Sequence, residues 1–231
     1  MAKTLLVSAT LWELECFWQE WLKSGSLSPD RYRALLPILS QPDFMGQFVI
    51  DEGLDCCITG VGVASVLVNL ASCPLEHYDW VLGVGFVGSY TETLAMGEVV
   101  QVSEDSFADY GLEEKGGFIS LAKAPFPSII KEKVFLVASN RKVENLRQVR
   151  SFTKSFPTGE RKEVVGLDPE MYDAQVESME SAAFALLCSR RARAYTSLRV
   201  VSNYVRPNAP WDVALAKSQL ARAITELLTE S

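Results

Sequence analysis

The sequence holds a single histidine, His77, and its five cysteines show no C-x-x-C spacing, with Cys56 and Cys57 adjacent. With no cluster of ligand residues, a transition-metal site is not expected. An odd number of unspaced cysteines suits the reduced thiols of a cytoplasmic protein better than a disulfide framework. Basic residues are in deficit, 22 against 29 acidic ones, for a net charge of −7. A surface of that sign repels phosphate backbones, so nucleic acid is not an expected partner. Nor does any apolar run reach the roughly 18 to 20 residues that span a bilayer, which argues against a membrane protein. Near the N-terminus, Glu13 and Glu15 stand where a signal peptide would need small residues, so the opening reads as a buried first strand. Internal repeats and low-complexity tracts are also lacking.

What is present is ordinary globular composition, 48% hydrophobic and 22% charged over 231 residues, enough for one substantial core and a single domain spanning 1–231. Apolar, β-branched runs at Thr4–Ala9, Leu54–Gly60, Asp79–Gly85, Glu98–Ser103, Val134–Ser139 and Tyr195–Asn203 predict strands. Helical periodicity runs through Trp12–Lys23, Val63–Ser72, Ser178–Arg190 and Trp211–Leu228. The alternation predicts an α/β fold of three α/β/α layers around a mixed, mainly parallel sheet. Ser24–Gly46, with three prolines, is expected to be loop with a short helix, and Gly111–Ser128 a flap.

Three strings bear on chemistry. Ile58–Ser65, ITGVGVAS, approximates the dinucleotide fingerprint, although its glycines equally suit a tight strand-to-helix turn. Gly83–Tyr90, GVGFVGSY, is a second glycine-rich strand exit. Two such exits suggest a ligand crevice at the carboxyl edge of the sheet, or turn chemistry and nothing more. Val176–Phe184, VESMESAAF, places Glu177 and Glu180 three apart, on one face if helical. Ser178 and Glu180 there read either as capping residues or as a carboxylate set beside an apolar stripe at a helix start.

In combination these strings resemble the purine nucleoside phosphorylases and methylthioadenosine/adenosylhomocysteine nucleosidases. That family has a first strand followed by a glutamate, matched by Ser8–Glu13. Its glycine-rich exit ahead of a G-[DE]-[IV]-V strand is matched by Gly85–Ser89 and Met96–Val100. Its Glu-Met-Glu string at a helix start is matched around Met179-Glu180, and its late Ser-Asp or Ser-Asn by Ser202-Asn203. The resemblance runs from about residue 3 to the C-terminal helix. It is greatest to the futalosine hydrolase branch, which serves the alternative menaquinone pathway, through Ala9-Thr10-Leu11-Trp12-Glu13, Glu104–Asp109, Val176–Ala183 and Ser202–Val205. The stretch Thr153–Gln175 departs from the family by being longer and more polar.

The resemblance implies hydrolysis of a purine–ribose bond in a small-molecule nucleoside, with no cofactor and no metal. Glu13 is the implied water-activating base and Asn203 the catalytic contact to the departing base. Glu180 would hold the ribose hydroxyls and Met179 the sugar face. Phe86, Val87, Gly88, Phe156 and Ser202 would line the pocket, with Glu177 in support behind them. Family relatives imply a homo-oligomer, most simply a dimer, in which Phe107 and Tyr110 help close a neighbouring site. An amide at Asn203 can accept from N7–H and donate to a 6-keto oxygen, which points to a 6-oxopurine such as the hypoxanthine of futalosine. Phe86 after Gly85, and the lack of arginine before Arg31, favour water over phosphate as nucleophile. The alternatives are a purine nucleoside phosphorylase, a methylthioadenosine nucleosidase, a non-catalytic nucleoside-binding protein, or a nicotinamide-dependent reductase resting on ITGVGVAS alone.

Overall fold

A computed structural model describes residues 2–115, 117–130, 134–135, 145–156, 173–191 and 194–229. The unbroken run TLLVS forms β1 (Thr4–Ser8), buried along its whole length, as a strand covered on both faces must be. α1 (Glu15–Lys23) buries Phe17, Trp18 and Trp21. The proline-bearing stretch contains α2 (Pro29–Leu39), which starts on a proline behind a Ser28 side chain that accepts the Arg31 N–H. There follow β2 (Gly46–Asp51), β3 (Leu54–Ile58), α3 (Val63–Ala71), β4 (Trp80–Ser89) and β5 (Val99–Phe107). The expected flap holds a hairpin of β6 (Gly111–Glu114) and β7 (Gly117–Ser120). Of the strand predicted over Val134–Ser139, β8 (Val134–Phe135) is described and residues 136–139 lie outside the described residues. The chain continues through β9 (Arg147–Thr153), β10 (Val176–Ser178), α4 (Ser181–Arg191), β11 (Tyr195–Tyr204) and α5 (Val213–Thr229).

The sheet is mixed, as expected, but it is not simply one layer of three. Its order is β10-β9-β5-β11-β4-β1-β3-β2, and β10 also pairs β4, so β4, β11, β5, β9 and β10 close into a ring. Pairings β1–β3, β1–β4, β11–β4, β5–β9 and β9–β10 are parallel, while β4–β10, β5–β11, β2–β3 and β5–β8 are antiparallel. Layering survives on the open flank. Leu6 of β1 joins an apolar cluster with α1 and α5, whereas Leu5 and Val7 join one with α3 and α4, as alternation along a strand dictates. Closure leaves a third cluster, including Val87, Val100, Val102, Val149, Val176 and Val201, contributed by the ring strands.

The expected glycine-rich exit at Gly83–Tyr90 is no turn; β4 runs through it to Ser89. Its glycines allow close approach. A Cβ on Gly83 would stand 2.7 Å from ring carbons of Phe184, and one on Gly85 would stand 2.4 Å from the Arg199 guanidinium. The glycines of ITGVGVAS do turn the chain, at φ of +82° for Gly60 and +89° for Gly62.

Gly83→Ala therefore over-packs the α4 side of β4, at an expected cost of about 1–3 kcal/mol. Urea denaturation of the variant should show a lower midpoint, partly restored when Phe184→Leu is added. An unchanged midpoint in the single variant would mean that the Phe184 ring yields freely.

Candidate functional site

At the carboxyl ends of β1, β4 and β11 lies a cavity of about 460 Å³. This is where parallel α/β sheets bind small ligands. Glu13, Phe86, Val87, Gly88, Glu177, Met179, Glu180, Ser202 and Asn203 all line it. Phe156 does not; it is 45% exposed, with the Lys154 ammonium 5.3 Å from its ring. Phe107 is 3% exposed and packs into the cluster around α3 and α4, with Tyr110 half-buried 5.3 Å away. The rest of the departing stretch, residues 157–172, lies outside the described residues.

One end of the cavity is ionic. Glu13 closes a reciprocal local pair: its carboxylate accepts the Thr10 N–H at 3.2 Å, and its own N–H donates to Thr10 Oγ1 at 3.2 Å. The exchange resembles that of a capping box, but it sits in the turn ahead of α1, whose N-cap Leu14 has no side-chain cap. Ser8 Oγ also donates to Glu13 Oε2 at 3.0 Å, and the Phe86 N–H, from β4, donates to Oε1 at 3.1 Å. Arg199 meets Glu13 over Gly85, where an added Cβ would lie 2.4 Å from Arg199 Nη1 and 3.0 Å from Glu13 Oε1. Its Nε donates to Ser197 Oγ at 3.1 Å and 3% of the residue is exposed.

Glu177 and Glu180 do not share a helix face. Glu177 sits in β10, and α4 begins at Ser181, because residues 176–178 pair with β9 and two of them, Val176 and Glu177, pair with β4 as well. Ser178 is the capping side chain, its Oγ accepting the Ser181 N–H at 3.1 Å. Glu180 instead accepts the Gly62 N–H at 2.8 Å. In a dinucleotide reading of ITGVGVAS that glycine loop would face a pyrophosphate; here it anchors a carboxylate. Burial, and then repulsion from Glu13, raises the Glu180 pKa, while the Gly62 hydrogen bond and Arg199 oppose the rise. Burial likewise lowers the Arg199 pKa, against the pull of Glu180, Glu13 and Asp105.

The other end is built from an amide, the backbone and a third carboxylate, Glu177, which pairs with Gly88 across from Asn203. Pairing of β11 with β4 slips by one residue between Val201 and Asn203, so that Asn203 comes opposite Gly88. The bulge re-aims Asn203 along the cavity wall. Ser202, 1% exposed, donates from Oγ to Asn203 Oδ1 at 3.0 Å, and Asn203 Nδ2 donates to the Tyr204 carbonyl at 3.4 Å, which sets the amide with its oxygen towards Ser202. Trp12 and Trp211, 48% and 57% exposed, also line the cavity, Trp12 edge-on to Phe86 at 5.6 Å.

Arg199 was not singled out from the sequence; it stands behind the cavity wall, beside Glu13 at Gly85. Its signal was a lone cation inside the apolar strand SLRVV, since a charge buried in a strand needs partners. Asp105 was missed too. It is fully buried, accepts from Thr153 Oγ1 at 2.9 Å, from the Ser106 N–H at 2.8 Å and from Ser181 Oγ, and stands behind the start of α4.

Burial pushes the Asp105 pKa from 3.8 up to about 6, against hydrogen bonds from Ser181, Ser151 and Thr153. The folded chain then binds more protons than the unfolded one between those values, so this group's contribution to stability falls as pH rises from about 4 to about 6. Asp105→Asn should flatten that part of the pH–stability profile measured by urea denaturation. A variant whose slope matches the wild type across this window would show that another group carries the dependence.

Residues 50–230 match the Phosphorylase superfamily. The chain is 30% identical to futalosine hydrolase of Thermus thermophilus, over 74% of this chain and 80% of that one. It is 24% identical to a 5'-methylthioadenosine/S-adenosylhomocysteine nucleosidase of Shewanella loihica, over 70% and 74%. Its fold superposes on a putative nucleosidase of that kind from Francisella philomiragia with a TM-score of 0.68, at 18% identity and full coverage of both chains. A futalosine hydrolase mutant of Helicobacter pylori gives 0.68 at 14% identity, covering all of this chain and 98% of the other. The closed ring with its layered flank, the cavity at its strand ends and these likenesses agree: the chain belongs to the phosphorylase superfamily.

Proposed function

We propose that the protein is a nucleosidase that hydrolyses the N-glycosidic bond of a 6-oxopurine nucleoside, with futalosine as substrate and hypoxanthine as the released base. The observation that carries this reading is the polarity of the cavity, with the Glu13 and Glu180 carboxylates at one end, backed by the buried Arg199, and the oriented amide of Asn203 at the other. The 30% identity to a Thermus futalosine hydrolase supports the choice of substrate.

Cleavage of such a bond passes through a cationic, oxocarbenium-like sugar. Glu13 is placed to orient a water and take its proton, because the Phe86 and Thr10 amides hold its carboxylate at the cavity wall. Glu180 accepts hydrogen bonds from the ribose hydroxyls and faces the developing cation. As the bond breaks N7 takes a proton from water, Asn203 Oδ1 accepts the hydrogen bond of the resulting N7–H, and its Nδ2 donates to O6. The ionic end carries two carboxylates against one guanidinium. A net negative charge of this kind suits a neutral water and a cationic ring, and repels the phosphate of a phosphorylase.

Glu13→Gln keeps the shape and loses the base. Turnover should fall about 10²- to 10⁴-fold while ligand binding persists. Base release from futalosine, inosine and methylthioadenosine, followed by chromatography with and without phosphate, reads this directly. Phosphate-dependent turnover, or a variant with half the wild-type rate, would overturn the assignment.

Asn203→Asp sets an anionic acceptor against O6. Leaving such a group unpaired costs roughly 1–3 kcal/mol, about a ten- to hundredfold loss in kcat/KM for 6-oxopurine substrates. The smaller expected gain is for 6-amino analogues. An unchanged ratio between the two substrate types would show that Asn203 does not read the base.

A further inference from the structure

Asp105, in β5, lies outside the cavity wall and is fully buried, yet four hydroxyls gather round it. Thr153 of β9 donates to Oδ1 at 2.9 Å, and Ser181 of α4 donates to Oδ2. Ser178 Oγ, from β10, lies 2.6 Å from Ser181 Oγ and 3.1 Å from Thr153 Oγ1. Ser151 Oγ, also from β9, stands 3.2 Å from Ser181 Oγ. An ionised carboxylate can only accept. Ser181 and Thr153 therefore spend their protons on it, and Ser178 donates to one of them in turn. The first amides of α4 close the cluster: Ser181 N–H donates to Ser178 Oγ at 3.1 Å, and Ala182 N–H to Thr153 Oγ1 at 2.9 Å. One carboxylate thus sets the direction of the hydrogen bonds that join β9, β10 and α4.

The corner fastened in this way is the one that carries the site. Between Ser178 and Ser181 stand only Met179 and Glu180, and both line the cavity. The Glu180 carboxylate is tied separately, to the Gly62 N–H at 2.8 Å. Its backbone therefore depends on the cluster and its tip on the glycine loop. Fold stability alone is a poor reason for a charge behind this corner. Burying a carboxylate is costly, and apolar replacement of buried ionic groups is often neutral or stabilising.

On the nucleosidase reading above, on which this inference rests, we propose that Asp105 is a positioning residue for Glu180. Through Ser181, Ser178 and Thr153 it holds the backbone at the β10–α4 corner, and so sets the aim of the Glu180 carboxylate at the ribose hydroxyls. Without it the corner is free to pivot about the Gly62 hydrogen bond, and the carboxylate meets the sugar out of line. Hydrogen bonds weaken steeply with such misalignment, and a displacement of about 1 Å in a site can cost about a hundredfold in rate.

Asp105→Val keeps the volume and removes both accepting oxygens. The measurement is kcat/KM for a 6-oxopurine ribonucleoside and for its 2′-deoxy analogue, which withholds one hydroxyl from Glu180. The ribonucleoside value should fall about tenfold further than that of the analogue, the worth of one hydrogen bond to a charged group. A general loss of structure lowers both alike. Should Asp105→Val fail to fold, Ser181→Ala severs the link to Oδ2 alone and should move the ratio in the same direction. A wild-type ratio in folded Asp105→Val, or in Ser181→Ala where that variant stands in, overturns the positioning role and leaves the nucleosidase reading standing. A wild-type protein that releases base from no purine nucleoside overturns both.

Discussion

Arg199 places a full positive charge where 3% of the residue meets water, and the ionic end of the cavity is organised around that burial. A guanidinium removed from solvent needs opposite charge nearby, or the desolvation cost stands uncompensated. Glu13 and Glu180 supply it from opposite directions, one after β1 and one just ahead of α4. The packing is possible because Gly85 leaves open the volume that a side chain would fill. Glu180 is pushed up by burial and by Glu13, yet pulled back by the Gly62 amide and Arg199.

The amide end is organised differently, by hydrogen bonds whose donors and acceptors are fixed by the sheet. Ser202 Oγ lies 3.2 Å from the Val87 carbonyl and 3.0 Å from Asn203 Oδ1, with one proton to share between them, and Asn203 Nδ2 donates to the Tyr204 carbonyl at 3.4 Å. Exchange of the amide oxygen and nitrogen would set two acceptors against each other at Tyr204. Orientation is what lets an asparagine discriminate at all, since a freely rotating amide offers a donor or an acceptor with equal ease.

Much of this was legible in the sequence where local chemistry and function coincide. Thr10-Leu11-Trp12-Glu13 encodes its own turn, and Ser202-Asn203 ends a run of apolar residues, so both could be placed. Longer-range constraints were not legible. Gly83, Gly85 and Gly88 look like turn residues, because sequence shows the missing side chain without showing the neighbour that needs the room. The strands GQFVID and RQVRSFT carry too many polar residues to stand out from loop. Glu177 and Glu180 have helical spacing, but pairing of Val176 and Glu177 with two strands at once outweighs it. Arg199 and its carboxylate partners are far apart in the chain, and only the closed sheet brings them together.

Closure of the ring through β4 and β10 has a mechanical consequence. In an open sheet an outer strand can slide or fray, and a pocket between strands can widen to admit a different ligand. Here β4 is bonded on both sides, to β10 and to β11, and those two are joined again through β9 and β5. The width across Gly88 is therefore a property of the whole hoop, and no single strand can dilate it alone. A change in what this part of the cavity admits has to come from the side chains on its wall, while Trp12 and Trp211, both lining the cavity and both exposed, stand where it opens to solvent. The molecule thus combines a fixed frame with an open rim.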